Sequence, residues 1–329
     1  MRISFETHAG GMDTAQGYGV AGEQIVKSLQ ELGHETPFMD PSAPVGLNFT
    51  QPYYYKFHEN QYKIGYTPWE STMPHEGWVD SINQMDEFWT TSDWCKNVFA
   101  NAGVTVPIYV YEHGIDHSWA PYRRTPSRVL KFLHHGEPAT RKCGQMTLDA
   151  FTDLFGNDDR YSLTIKSNGH PMARAKLPDG SIVGAPDRYS NVTINKNTLP
   201  LHELISLYYQ HDVLIYPSFG EGFGFIPIQA LATGMPVIFN TTWAPYRRFS
   251  TGLEVADREV VSPWPLIHPG NMLEPNYQSL KEQMLNAANN FETHLETAIG
   301  QAEEIHHQYD WTNLTKGAFD HVIKKFVTA

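Results

Sequence analysis

Short apolar runs alternate along the chain with longer stretches of helical spacing. ISFET (3–7) reads as a buried strand. After a glycine-rich loop, Val20, Ile25, Val26, Leu29 and Leu32 fall on one helical face, with Gly33 as a natural stop. Residues 41–62, rich in proline and tyrosine, read as irregular. KIGYTPW (63–69) is a strand running into a loop, a helix is expected from 74, and EFWTTS (87–92) is a strand. A helix over 93–102 and the strand-and-loop PIYVYEHGID (107–116) follow. HSWAPYRRTPSR (117–128) has no periodicity and sets a domain seam.

Beyond the seam the alternation restarts. VLKFLHHG (129–136), YSLTIKS (161–167), NVTIN (191–195), DVLIYPS (212–218) and PVIFN (236–240) read as strands. TLDAFTDLF (147–155) and LHELISLYYQ (201–210) read as helices, 170–190 as an inserted loop, and 280–326 as two or three closing helices. Two successive βα arrays predict an α/β protein with two Rossmann-like domains facing across a cleft, where a ligand is expected.

Composition fits this picture: 329 residues suffice for two cores, and 41% apolar content is globular. MRISFETHAGG lacks the basic and apolar regions of a signal peptide, and no apolar run approaches the roughly 18 residues of a membrane span. Cys95 and Cys143 form no disulfide framework, so a cytoplasmic protein is expected. The net charge of −12 argues against nucleic acid as a partner, leaving room only for a local basic groove. The histidine pairs at 134–135 and 306–307 lack metal-ligand spacing and read as satisfied histidines. No metal site is expected. APYRR occurs at 120–124 and again at 244–248, read as a coincidence of two post-strand loops.

The chemistry concentrates in DVLIYPSFGEGFGFIPIQALATGMPVIFN (212–240). Gly220, Gly222 and Gly224 permit a tight turn close to a ligand, Pro227 suits the first turn of a helix, and Gly234 ends it. A helix starting at the carboxyl edge of a parallel sheet offers free N–H groups to a phosphate, with Glu221 ahead of it and Gln229 within its first turns.

These residues resemble the donor-site signature of retaining glycosyltransferases of family four (group 1), which have the GT-B fold. Pro217, Ser218, Glu221, Gly222, Phe223, Gly224, Ala230, Ala232, Gly234, Pro236, Val237 and Ile238 match in order. Pro227 falls one place late, and Gln229 replaces the second glutamate of the Glu-x7-Glu pair. GYGVAGEQIVKSLQELGHE, DEFWTTSDWCKNVFANAGV with VYEHGID, FLHHGEPATRKCGQMTLDAF and DWTNLTKGAFDHV resemble further family segments in family order.

The resemblance implies an acceptor-side domain over 1–120, completed by a C-terminal helix at about 311–329, and a nucleotide-sugar donor domain over 125–310. It implies transfer of a hexose-like sugar, with retention and without a metal or other cofactor, from a UDP- or GDP-linked donor to an acceptor hydroxyl. Glu221 would contact the sugar hydroxyls and Gln229 the ribose, while Lys142 with Arg141 would neutralise the leaving diphosphate. Gly222, Phe223, Gly224, Phe225, Lys166 and the N-terminal-loop glycines Gly11 and Gly17, with Gly10 and Gly19, complete the donor-side set. Glu137 stands where the family often carries arginine. Glu70, in YTPWEST, would orient the acceptor or act near the reacting hydroxyl, and His8 is a weaker candidate of that kind.

GYGVAG (17–22) is formally a dinucleotide fingerprint, but it does not follow its strand directly and no acid closes it, so a dehydrogenase is set aside. A nucleotide-sugar epimerase of the same fold and an inactive sugar-nucleotide-binding protein remain the alternatives.

Overall fold

The structure is a computed structural model; it describes residues 1–7, 17–136, 140–167, 175–176, 182–183 and 189–327. In the first half, β1 (Ile3–Glu6), α1 (Gly17–Glu31), β2 (Val45–Phe49), β3 (Tyr62–Tyr66), α2 (Trp78–Ile82), β4 (Glu87–Thr90), α3 (Asp93–Asn101) and β5 (Ile108–Val110) succeed one another. The strands pair in parallel in the order β1-β2-β3-β4-β5. The sheet buries Ile3, Phe5, Val45, Leu47, Ile64 and Tyr66 beneath α1 residues Ile25 and Leu29.

β2 corrects the expectation of irregular chain over 41–62. Its five residues, VGLNF, are all buried between β1 and β3, so they do not alternate. Gly46 leaves room for the Gln61 side chain, whose Oε1 lies 2.1 Å from where a Cβ would stand. Asn48 accepts from the Lys56 backbone N–H at 2.6 Å.

The second half builds β6 (Leu130–His135), α4 (Gly144–Phe155), β7 (Tyr161–Lys166), β8 (Ala175–Lys176), β9 (Ile182–Val183), β10 (Val192–Asn195), α5 (Leu201–Tyr209), β11 (Val213–Tyr216), α6 (Phe225–Ala232) and β12 (Val237–Phe239). Its main sheet is parallel in the order β10-β7-β6-β11-β12. The chain therefore runs outward from β6 to β10, then returns to the other side of β6 with β11. Such a reversal leaves a crevice beyond the carboxyl ends of the two central strands. β8 and β9 form a short antiparallel pair within the stretch expected to be an inserted loop.

An antiparallel hairpin follows, β13 (Asp257–Val261) and β14 (Asn271–Pro275). It reaches the first half: Ser71 Oγ donates to the Pro269 carbonyl at 2.8 Å, and Thr72 N to the Asn271 carbonyl at 2.9 Å. α7 (Tyr277–Asn289) and α8 (Phe291–Gln308) cover the second half, and α9 (Trp311–Val327) crosses back to the first. Phe319 and Val322 of α9 enter the first core. Buried Glu87 of β4 receives bonds from Tyr62 Oη at 2.7 Å, Trp89 Nε1 at 2.7 Å and His321 Nε2 at 2.8 Å.

Arg124 secures the seam. It is buried and donates to the carbonyls of His211 (2.8 Å), Thr233 (2.9 Å) and Tyr208 (3.1 Å) and to Thr233 Oγ1 (3.0 Å). Arg124→Met leaves the His211 carbonyl without its donor, while the Thr233 and Tyr208 carbonyls keep the Tyr122 and His211 backbone N–H groups, and it is expected to destabilise the fold by about 2–4 kcal/mol. Because Arg124 does not line the cleft described below, ligand affinity should be unchanged where the variant is folded; denaturant unfolding and binding assays measure the two effects. The two APYRR copies do different work: Tyr122 stacks on Tyr209 at 4.5 Å, whereas Tyr246 Oη donates to the Gly224 carbonyl at 2.8 Å.

Candidate active site

At the reversal between β6 and β11 lies a cavity of about 370 Å³ between the two halves. The second half contributes His135, Gly136, Arg141, Lys142, Lys166, Tyr216, the loop residues 221–224 and the start of α6, and the first half Gly17, Tyr18, Phe49, Pro68, Glu70 and His113. Two short connections set the chemistry. After β6 the chain forms a single turn over Thr140–Lys142, and Cys143 then takes a left-handed conformation (φ 54°) before α4. A non-glycine residue there costs about 1 kcal/mol, and the turn brings Arg141 and Lys142 to the end of β11.

There four donors converge on one oxygen, Glu221 Oε1: Lys142 Nζ at 2.5 Å, Ser218 Oγ at 2.7 Å, Tyr216 Oη at 3.0 Å and Arg141 Nη1 at 3.3 Å. Burial alone would raise the Glu221 pKa, but the Lys142 and Arg141 charges and the bonds from Lys142 and Ser218 outweigh it, so it lies below the ordinary carboxylate value. Lys142 is shifted below the usual lysine value by burial and by Arg141 beside it. Arg141 also bonds the Gly220 carbonyl and approaches Glu70 at 4.0 Å. Glu70 is shifted the other way, upward, by burial, with Arg141 opposing and Glu221 adding to the rise. The cavity thus holds an ionised carboxylate and a second carboxylate of raised pKa beside two cations.

The glycines of the 220–224 loop serve the closure of the two halves. A Cβ on Gly220 would stand 2.1 Å from the Glu70 carbonyl oxygen, and one on Gly222 2.3 Å from Pro68 Cβ. The Gly222 carbonyl accepts from Thr91 Oγ1 and from Cys95 Sγ, both of the first half. Only Gly224 has a positive φ, at 90°, and it caps the start of α6. The turn expected close to a ligand thus also takes in the first half, because the missing side chains of Gly220 and Gly222 admit residues 68–70.

Of the residues singled out from the sequence, Glu221, Lys142, Glu70, Arg141, Gly222, Phe223, Gly224, Phe225, Gln229, Gly17 and Lys166 all line this one cavity. Gly11, with Gly10, His8 and Glu137, lies outside the described residues. Gly19 is buried within α1. Arg141 and Lys142 are largely buried, with side chains 17% and 12% exposed, rather than solvated in a surface turn. Sequence reasoning missed Tyr216 and Ser218 as holders of Glu221, although both stand in the quoted YPS segment. It also missed His113 and His135 as cavity residues; an imidazole at the carboxyl end of a strand was the available signal. His135 Nδ1 lies 2.7 Å from Tyr208 Oη, and burial, with Lys166 nearby, pushes its pKa down to about 3. Among the described residues no group of three or more His, Cys, Asp or Glu is placed to hold a metal, and no helix is long and apolar enough to cross a membrane.

Comparison with known proteins gives a consistent result. Residues 91–317, more than half of the chain, match the family described as family 4 glycosyltransferase in conflict systems. A putative glycosyltransferase of the Sulfolobus islandicus filamentous virus is 25% identical over 333 residues, covering 92% of this chain and 90% of the viral one. Among solved structures, a sucrose-phosphate synthase from Thermosynechococcus elongatus superposes with a TM-score of 0.73 at 13% identity, with 100% of both chains covered. HepE of Anabaena, solved in complex with UDP-glucose, superposes with a TM-score of 0.69 at 12% identity over 98% of this chain and 100% of that one. The fold shared with these structures is the two-domain GT-B arrangement.

Proposed function

The chain belongs to the family 4 glycosyltransferases of conflict systems, and from that premise we propose that it transfers a hexose-like sugar from a UDP- or GDP-linked donor to an acceptor hydroxyl with retention. The observation that carries the reading is the Glu221 carboxylate, held ionised by Arg141 and Lys142 at the crevice between β6 and β11. A carboxylate there accepts bonds from sugar hydroxyls. The two cations offer charge where the diphosphate of a departing nucleotide gains it, so the reading needs no metal. UDP is the nucleotide bound in the HepE structure, which favours a uridine donor.

In this reading the bond from the anomeric carbon to the phosphate oxygen breaks, its electron pair leaving with the phosphate. The acceptor oxygen joins the same face of the sugar, and its proton passes to the departing phosphate oxygen. Glu70, contributed by the first half and 4.0 Å from Arg141, orients the acceptor. Gln229 accepts from the ribose through its amide oxygen; Gly222, Phe223, Gly224, Phe225, Gly17, Gly11 and Lys166 complete the donor-binding surface. The domains follow the same division, with the acceptor side in 1–120 plus the last helix and the donor side in 125–310. A cytoplasmic setting belongs to this reading and is supported by Cys95 and Cys143, both buried free thiols.

Incubation with a panel of nucleotide sugars, with release of free nucleotide as readout, tests the activity, and the anomeric configuration of the product tests retention. Binding without turnover of any donor would instead identify an inactive sugar-nucleotide-binding protein. Gln229→Glu restores a charged acceptor, which makes stronger hydrogen bonds than an amide. It is expected to lower the donor KM by about 2–10-fold with kcat nearly unchanged. An unchanged KM in steady-state kinetics would show that the charge at this position is immaterial.

A further inference from the structure

His113 follows β5, where the chain leaves the first sheet, and it is 2% exposed in the cavity wall. Its ring lies parallel to Phe225 of α6 at 5.0 Å and 15°, with Phe223 of the second half at 5.1 Å. Tyr66 at 5.8 Å and Phe49 at 6.1 Å pack against it from the first half. The imidazole is therefore clamped at the meeting of the two halves by rings from both. Neither Nδ1 nor Nε2 has a hydrogen-bond partner; among the described residues no other histidine has both nitrogens buried and unpartnered. Packing alone does not explain this, because an apolar side chain would fill the same space without stranding two polar atoms.

We infer that His113 is a ligand-binding residue whose ring nitrogen hydrogen-bonds a hydroxyl of the donor sugar or of the acceptor, the partner that the protein itself does not supply. The inference rests on the glycosyltransfer reading above and adds a residue to it. Burial pushes the His113 pKa down to about 3, so the ring is neutral and offers one donor and one acceptor, which suits a hydroxyl. A phosphate calls for cations, and those stand elsewhere in the cavity, at Arg141 and Lys142. Because the ring is held between the two halves, a slight parting of them opens its edge to the cavity. A ligand bound there then takes the place of the missing partner as the halves close.

The test compares His113→Leu, of similar volume and without polar atoms, with His113→Gln, which keeps a donor and an acceptor. His113→Leu is expected to melt no lower than the wild type while its kcat/KM for transfer falls at least tenfold, and His113→Gln to recover part of that loss. The two sources of the hydroxyl separate cleanly. Weakened binding of the nucleotide sugar, with unchanged binding of the free nucleoside diphosphate, assigns the bond to the donor sugar. Unchanged donor binding with a raised acceptor KM assigns it to the acceptor. Should His113→Leu misfold, the imidazole-nitrogen resonances of His113 in the wild type decide: they shift on saturation with donor and acceptor if the ring bonds a hydroxyl. Transfer by His113→Leu within twofold of the wild type, or resonances that do not move, overturns the inference. Absence of turnover with every donor in the wild type would overturn the functional reading itself, a separate outcome.

Discussion

Glu221→Gln is expected to lower sugar transfer by about 100-fold or more while nucleoside diphosphate binding is kept or tightened. The carboxylate oxygen accepts from Lys142, Ser218, Tyr216 and Arg141 at 2.5–3.3 Å, and an amide cannot carry the charge that holds the two cations. Freed from that carboxylate, Arg141 and Lys142 meet the diphosphate without competition, so nucleotide affinity does not fall. What is lost is the grip on the sugar and the fixed position of both cations. Removing one partner of a buried ionic cluster also destabilises, by about 3–5 kcal/mol, because the remaining charges stay buried and uncompensated.

The pH dependence has a definite sign. The folded-state pKa of Glu221 is depressed, so its stabilising contribution is present above the unfolded carboxylate pKa and is lost as pH falls through the folded value. The melting temperatures of wild type and variant should therefore converge in acid and lie furthest apart near neutrality. Nucleotide release, calorimetric binding and thermal melts across pH measure the three effects. Transfer by the variant within tenfold of the wild type would remove Glu221 from the chemistry.

The sequence showed more of the site than of the fold around it. Strands such as VLIY and helices such as that over 93–101 carry their own periodicity, and the donor-loop residues stand together in one phrase, so both are legible. β2 was hidden because a strand buried on both faces shows no alternation, and its Gly46 and Asn48 answer to Gln61 and Lys56, far from the local pattern. The β13–β14 hairpin was hidden for the opposite reason: DREVV and NMLEP carry charges such as the Arg258–Glu274 pair and little apolar signal. His113 escaped notice because its meaning lies in what it lacks. A missing hydrogen-bond partner is visible only when every neighbour is in place. The glycines illustrate a third limit, since the sequence identified a turn without revealing that the loop opposite fills the space.

That space makes Gly222→Ala the other change of large expected effect. The added methyl would stand 2.3 Å from Pro68 Cβ and 3.0 Å from the Trp69 backbone nitrogen, and backbone atoms cannot swing aside as a flexible side chain can. Relief requires the 220–224 loop and the 68–70 loop to separate, which costs about 3 kcal/mol or more. It also breaks the bonds from Thr91 and Cys95 to the Gly222 carbonyl. Glu221 precedes this residue and Glu70 follows Trp69, so the same movement draws the two carboxylates apart. A displacement of about 1 Å is enough to reduce catalysis about 100-fold. Gly300→Ala in α8 and Gly317→Ala in α9 serve as controls, since nothing lies within 4 Å of a Cβ at either position. In these helices alanine should stabilise by about 0.5–1 kcal/mol and leave transfer unchanged. Denaturant unfolding and steady-state kinetics on the three variants decide the matter. If Gly222→Ala behaves like the helical pair, the 220–224 loop does not set the approach of the two halves, and the distance between Glu221 and the acceptor must be fixed elsewhere.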